Sequence, residues 1–211
     1  MSRLLSYLWE RRAEIASLTG EHVLLVFAAT FLAVGIGVPT GVALTRRPRL
    51  AGPVLGAASV IQTVPSLALL GLLIPLPLFG GIGKSTAIIA LVVYALLPIL
   101  RNTHAGIRSV DPAVLEAADG LGLDAGQRLR SVELPLALPV ILAGVRVATV
   151  ATIGLATVAA AIGAGGLGVL IYRGIATVDE RLILAGALPA ALLALAADGL
   201  LGWVERRWSA L

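Results

Sequence analysis

The feature that most constrains this chain is where its charges are missing. Val23 to Thr45, Leu50 to Gly83 and Ser85 to Leu100 contain no Asp, Glu, Lys or Arg, while Leu136 to Ile162 holds only Arg146 and Leu182 to Val204 only Asp198. About 20 consecutive apolar residues cross the ~30 Å hydrocarbon layer of a bilayer. The 211 residues are 58% hydrophobic and 13% charged, without cysteine. A soluble domain of this size has too little interior to hide that much apolar surface. The composition excludes an ordinary soluble enzyme, a disordered chain and a disulfide scaffold. It predicts an all-α polytopic membrane protein with five transmembrane helices.

The second run, 34 residues long, is interrupted by Pro53, Pro65, Pro75 and Pro77. Two crossings need ~40 residues and a turn, so it reads as one helix with a structured, proline-rich exit. The third run, 16 residues, reaches only ~24 Å and recruits its flanks, with Lys84 snorkelling at one end. Five spans put the chain ends on opposite sides. With the polar stretch 101–133 inside, nine basic residues lie inside (Arg46, Arg47, Arg49, Arg101, Arg108, Arg128, Arg130, Arg206, Arg207). Six lie outside: Arg3, Arg11, Arg12, Lys84, Arg173 and Arg181. This bias orients the loop toward the cytoplasm. The expected organisation is a periplasmic segment 1–21, a transmembrane domain 22–204 with a cytoplasmic loop 101–135, and a cytoplasmic tail 205–211. Residues 1–20 lack the continuous apolar core of a signal peptide. They read either as an amphipathic helix on the outer surface, through Leu4, Leu5, Leu8, Ile15 and Leu18, or as a frayed tail. The net charge of +4 is spread between apolar runs rather than gathered into a patch, so no nucleic acid is expected.

Two motifs are deceptive. Gly80 to Thr86 resembles a P-loop, but Leu78 stands where its first glycine is required and no strand precedes it. Gly163-Ala164-Gly165-Gly166-Leu167-Gly168 satisfies G-x-G-x-x-G, yet a transmembrane span precedes it and the next acids come too early for a dinucleotide site. Glycines at a helix end do permit close packing and unusual backbone angles, which makes Gly163, Gly165, Gly166 and Gly168 candidates for a gate or re-entrant turn. No serine–histidine, paired-aspartate or metal-spaced set occurs, so no catalytic residue, metal or cofactor is expected.

In the polar stretch, Asp111-Pro112 reads as an N-cap and first helical residue. A short helix Ala113 to Gly120 follows, with Gly120 or Gly122 able to end it. Asp124 and Gln127 are spaced as a capping box for a second short helix, and Leu134-Pro135 leads back into the membrane. Glu116-Ala117-Ala118, three residues, Gly122, nine residues, then Val132, a residue, Leu134 and Pro135 resembles the EAA signature of ATP-binding-cassette importer permeases, with valine in place of isoleucine. Ile61 to Leu70, Ala95 to Thr103, Val132 to Pro139 and Ile162 to Gly168 are similar to the osmoprotectant branch, which imports glycine betaine, choline, carnitine and relatives.

That resemblance implies a permease working by alternating access. Ala113 to Leu123 would be a coupling helix docking on a separate cytoplasmic ATP-binding cassette subunit, with Glu116 meeting a basic group there. It implies a second permease subunit, identical or paralogous, and a periplasmic or lipid-anchored substrate-binding protein. Methionine or another small polar solute is the alternative cargo, and an ion-coupled secondary carrier the alternative class. Gln62, Pro65 and Tyr94 are further gate or path candidates; Tyr94 either lines the path or is a core tyrosine with a satisfied hydroxyl. Quaternary ammonium groups are held by aromatic cages, and the few aromatics here are too scattered for one, so selectivity belongs to another protein. Arg146 and Asp198, charges inside the membrane, are expected to pair or to face protein, as a structural ion pair rather than a substrate contact.

Overall fold

The computed structural model describes residues 2–76 and 81–209. Among these the chain is helical throughout: α1 (Ser2–Glu10), α2 (Arg12–Thr45), α3 (Pro48–Thr63), α4 (Ser66–Leu73), α5 (Lys84–Arg108), α6 (Pro112–Gly120), α7 (Ala125–Arg128), α8 (Leu134–Ala159), α9 (Gly168–Thr177) and α10 (Glu180–Ser209). A π-helical turn, Leu129–Glu133, joins α7 to α8, and a 3₁₀ turn, Ala160–Ile162, ends α8. α2, α5, α10 and the run 125–162 are each long and apolar enough to cross a bilayer. α3 and α4 pass that test only as a pair, bent by 101°.

The second charge-free run is therefore two helices meeting at a sharp bend at Val64-Pro65, not one helix. Val64 before Pro65 is extended (ψ 127°), because proline's ring crowds the helical conformation of its predecessor. Pro77 and Gly80 of the expected exit and false P-loop lie outside the described residues. The first span begins eleven residues earlier than its charge-free run: α2 runs from Arg12 and carries Glu14 and Glu21 before it turns apolar. Over 34 residues it is ~51 Å long, more than the hydrocarbon layer needs. The third span extends through Arg108 and so gains the length that its 16 residues lacked.

The core lies among α2, α5 and α8. Val26, Ala29 and Ala33 meet Leu91, Val92, Ala95 and Ile99, and Ala148, Ile153 and Ala156 close the cluster. The alanines of this cluster let the helices approach closely, the usual basis of association in lipid. At Gly144 an added Cβ would stand 2.5 Å from Asn102 Cβ and 2.9 Å from the Pro98 carbonyl oxygen. Tyr7, Leu8, Ile15 and Leu18 pack on Leu170, Leu182 and Ala185. The part of the expected apolar stripe formed by Leu8, Ile15 and Leu18 is thus turned onto α9 and α10, the side chains of Leu4 and Leu5 lying outside those described. Hydrogen bonds from Tyr7 to Asp179 (3.4 Å) and Arg173 to Glu14 (2.7 Å) hold it there.

Candidate functional site

The polar stretch between α5 and α8 is built from short helices whose ends are all satisfied. Asp111 Oδ1 accepts from Ala113 N–H (2.8 Å), and Pro112 occupies the first position, where no N–H is needed. α6 ends in a Schellman turn: Gly122 N–H donates to the Asp119 carbonyl (3.0 Å) and Leu123 N–H to that of Ala118 (3.2 Å). Gly122 has φ +79°, a conformation that glycine alone adopts without strain. Of the two glycines able to end this helix, Gly122 does so. At α7, Asp124 Oδ1 accepts from Gly126 N–H and Gln127 N–H (2.8 and 2.9 Å), while Gln127 Oε1 accepts from Asp124 N–H (2.9 Å), a complete capping box.

Glu116 and Ala117 are exposed, and Ala118 is buried against the loop. Val114 and Leu121 add exposed apolar side chains, Leu121 at 83%. This capped helix thus presents the Glu116 carboxylate and an apolar rim outward. Leu134 packs with Leu129 over Ile107, Ala137 and Ile141. Val132 is half-buried and Pro135 is exposed in the first turn of α8.

Beneath the loop lies a charge cluster that sequence reading missed. Glu133 is buried, and each of its oxygens is used: Oε2 accepts from Arg46 Nη2 (2.6 Å) and Oε1 from Arg128 Nε (3.0 Å). Arg128 Nη1 also lies 2.7 Å from both oxygens of Asp119 on α6. Arg46 is 87 residues from Glu133 in sequence, so no local pattern announces the pair. The one available signal is an acid at the edge of the apolar run that re-enters the membrane.

The path candidates gather in two places. At the break of the second span, the Tyr94 hydroxyl donates to the Val64 carbonyl and Gln62 Nε2 donates to the Tyr94 carbonyl (2.8 Å). Gln62, Pro65 and Tyr94 therefore meet at one elbow, and Tyr94 satisfies a carbonyl that the bend releases from helical pairing. The second place is the turn between α8 and α9, where Gly163, Gly165 and Gly166 have φ of +75°, +85° and +76°. Gly166 N–H donates to Glu21 Oε2 (3.1 Å), and Lys84 Nζ donates to Glu21 Oε1 (3.3 Å). A Cβ on Gly168 would stand 2.0 Å from the Thr157 carbonyl oxygen. α4 links the two places, since Leu70 packs with Ile162 and Ala164.

Arg146 and Asp198 meet head to head: Nε to Oδ1 at 2.6 Å and Nη2 to Oδ2 at 2.7 Å, a two-pronged pair. Glu205, about two turns further along α10, adds a contact at 3.3 Å, and Gly202 leaves room for the guanidinium. Sequence reading did not include Glu205. Near the pair, a groove of about 440 Å³ between α2, α8 and α10 is lined by side chains such as Val26, Phe27, Ile153 and Leu193. None of the path candidates lines it.

The chain is similar to known proteins over nearly its whole length. Residues 33–210 match the family described as binding-protein-dependent transport system inner membrane component. The osmoprotectant import permease protein OsmW of Salmonella typhimurium is 51% identical over 197 residues, 92% of each chain. The glycine betaine/carnitine/choline transport system permease protein OpuCB of Bacillus subtilis is 42% identical over 207 residues, covering 98% of this chain and 94% of that one. Among solved structures, the MetNI methionine ABC transporter in an inward-facing conformation superposes with a TM-score of 0.81 at 25% identity, over 90% of this chain and 94% of that chain. With a family match over most of its length and relatives at these identities, this chain belongs to the binding-protein-dependent transport system inner membrane components, the permeases of ABC importers.

Proposed function

We propose that this protein is the permease subunit of an ATP-binding-cassette importer for quaternary-amine osmoprotectants such as glycine betaine, choline or carnitine. The observation that carries the mechanism is the capped helix α6, which holds Glu116 outward on a rigid support. The cargo rests on relatives at 42–51% identity that are named for those solutes. The methionine transporter shares the fold at 25%.

In this reading the loop 101–135 faces the cytoplasm, residues 1–21 the periplasm, 22–204 form the membrane domain and 205–211 a cytoplasmic tail. A separate ATPase subunit receives α6, with Glu116, Ala117, Ala118 and Gly122 at or beneath the contact and Val132, Leu134 and Pro135 carrying the motion into α8. A second permease subunit, identical or paralogous, completes the path. A periplasmic or lipid-anchored binding protein selects the solute. ATP shifts the complex between inward- and outward-open states because it binds one of them more tightly; equal binding would move nothing. The elbow at Gln62, Pro65 and Tyr94 and the glycine turn act as gate elements. The Arg146–Asp198 pair is structural: a fixed cation on the path would repel a cationic solute.

The test is uptake of radiolabelled glycine betaine, choline, carnitine and methionine into vesicles holding the permease, its ATPase and candidate binding proteins. ATP-dependent entry of a quaternary amine is expected, with Glu116→Lys abolishing it in an intact chain. Preferential entry of methionine overturns the cargo; entry without the ATPase makes the protein a secondary carrier.

A further inference from the structure

We infer that Arg128 is a positioning residue which, through Asp119 on one side and Glu133 on the other, makes α6 move as one piece with the ends of α2 and α8. The inference rests on the permease reading above and adds the part that carries motion from the docking helix into the membrane.

A nine-residue helix such as α6 does not hold its place by its own cooperativity. Its capping bonds at Asp111 and Gly122 fix its ends but not its direction. Among the described residues, the ion pair that joins α6 to another element is Asp119 with Arg128. Arg128 passes that fixation on: its Nη1 takes Asp119, its Nε takes Glu133, and the other Glu133 oxygen takes Arg46 at the end of α2. Glu133 sits one residue before α8. Four charges thus connect the docking helix to two membrane-spanning helices through contacts of 2.6–3.0 Å.

The two halves of this relay differ in what they supply. Glu133, at 2% side-chain exposure, is a buried carboxylate that requires its guanidinium partners. Asp119 is 54% exposed, and an exposed pair contributes little to stability. What the Asp119–Arg128 contact provides is direction. Its loss therefore lets α6 swing while the bundle stays folded, and a push on the loop is absorbed there.

The experiment uses the complete importer, with its ATPase and binding protein, in vesicles, and reads solute imported per ATP hydrolysed. In Asp119→Asn, the complex is expected to assemble, to melt within about 2 °C of wild type and to keep its KM for ATP, while solute per ATP falls at least threefold. Asp119→Glu, which keeps the charge, restores most of the ratio. An unchanged ratio in Asp119→Asn overturns the inference. So does failure of that variant to assemble, since the pair would then serve folding. An equal loss in Asp119→Glu overturns it as well. Wild-type vesicles that import nothing on ATP overturn the permease reading and this relay with it. A failure confined to the variants' ratio overturns the relay alone.

Discussion

α5 and α3 are both apolar helices drawn from charge-free runs, yet they are used in opposite ways. α5 buries twelve of its residues, α3 only Ala51, and α4 only Leu70. The difference lies in the neighbours. α5 is approached by glycines on the helices beside it, Gly37 and Gly41 on α2 and Gly144 on α8, each close enough that a Cβ would collide. Gly52, Gly56 and Gly71 of α3 and α4 have nothing within 4 Å. Hydrophobicity puts both in the membrane; small residues at matching positions decide which is fixed to the chain's own core. The broken span takes its angle from Pro65 and from the hydroxyl of Tyr94, and its outer face is left to lipid or to another chain.

Substitutions that add or remove contacts on the two sides test this contrast. The largest effect is expected at Gly168, which meets the Thr157 carbonyl on the packed side. Gly168→Val forces backbone apart at a cost of ~3 kcal/mol or more, and monodisperse protein should be lost on size exclusion in detergent. Survival of that variant would mean that the packed side yields as readily as the open one. Next comes the ion pair between α8 and α10. Arg146→Gln strands the Asp198 and Glu205 carboxylates within the membrane region, so yield should fall, whereas Asp198→Asn leaves Arg146 its contact with Glu205 and should cost less. The double variant should recover part of the loss of Arg146→Gln. A double variant worse than either single would give the pair a role beyond mutual neutralisation.

Smaller effects belong to the broken span. Tyr94→Phe removes one hydrogen bond at the bend, about 1 kcal/mol, read as a modest drop in melting temperature with a larger drop in uptake rate. Equal proportional losses would make Tyr94 a plain packing residue. Least of all, Gly56→Ala should leave stability unchanged or raise it by up to ~1 kcal/mol, since alanine favours helix and meets nothing here. A thermal loss at Gly56 would show that α3 is already packed within the chain.

Much of the architecture was legible because lipid permits so few errors: absent charges located the spans, and capping chemistry at Asp111, Asp124 and Gln127 located the loop helices. What escaped was of two kinds. Charge does not bound helical continuity here, because α2 carries Glu14 and Glu21 in helix before it reaches apolar residues. Long-range pairing was invisible, because the partner of Arg46 lies 87 residues away and an arginine next to a span reads as an interfacial anchor. At the site, the separate candidates Gln62, Pro65 and Tyr94 gave no hint that a side-chain hydroxyl would satisfy the backbone at the break. The Arg146–Asp198 pair was more accessible, since two lone intramembrane charges at similar depth have few other partners.

The π-helical turn Leu129–Glu133 bears on all of this through helical phase. An α-helix advances ~100° per residue, and a π turn accommodates one residue more than the α-helical count. Deleting a single residue there, with the helix closing to regular α geometry, would leave α7 and α8 in nearly their present phase, because the wide turn already absorbs the surplus residue. What the turn sets is its own interior: Arg128 and Glu133 are five residues apart and bonded, whereas regular α geometry over the same residues would hold them roughly 140° apart about the axis. One surplus residue brings Arg128 to Glu133.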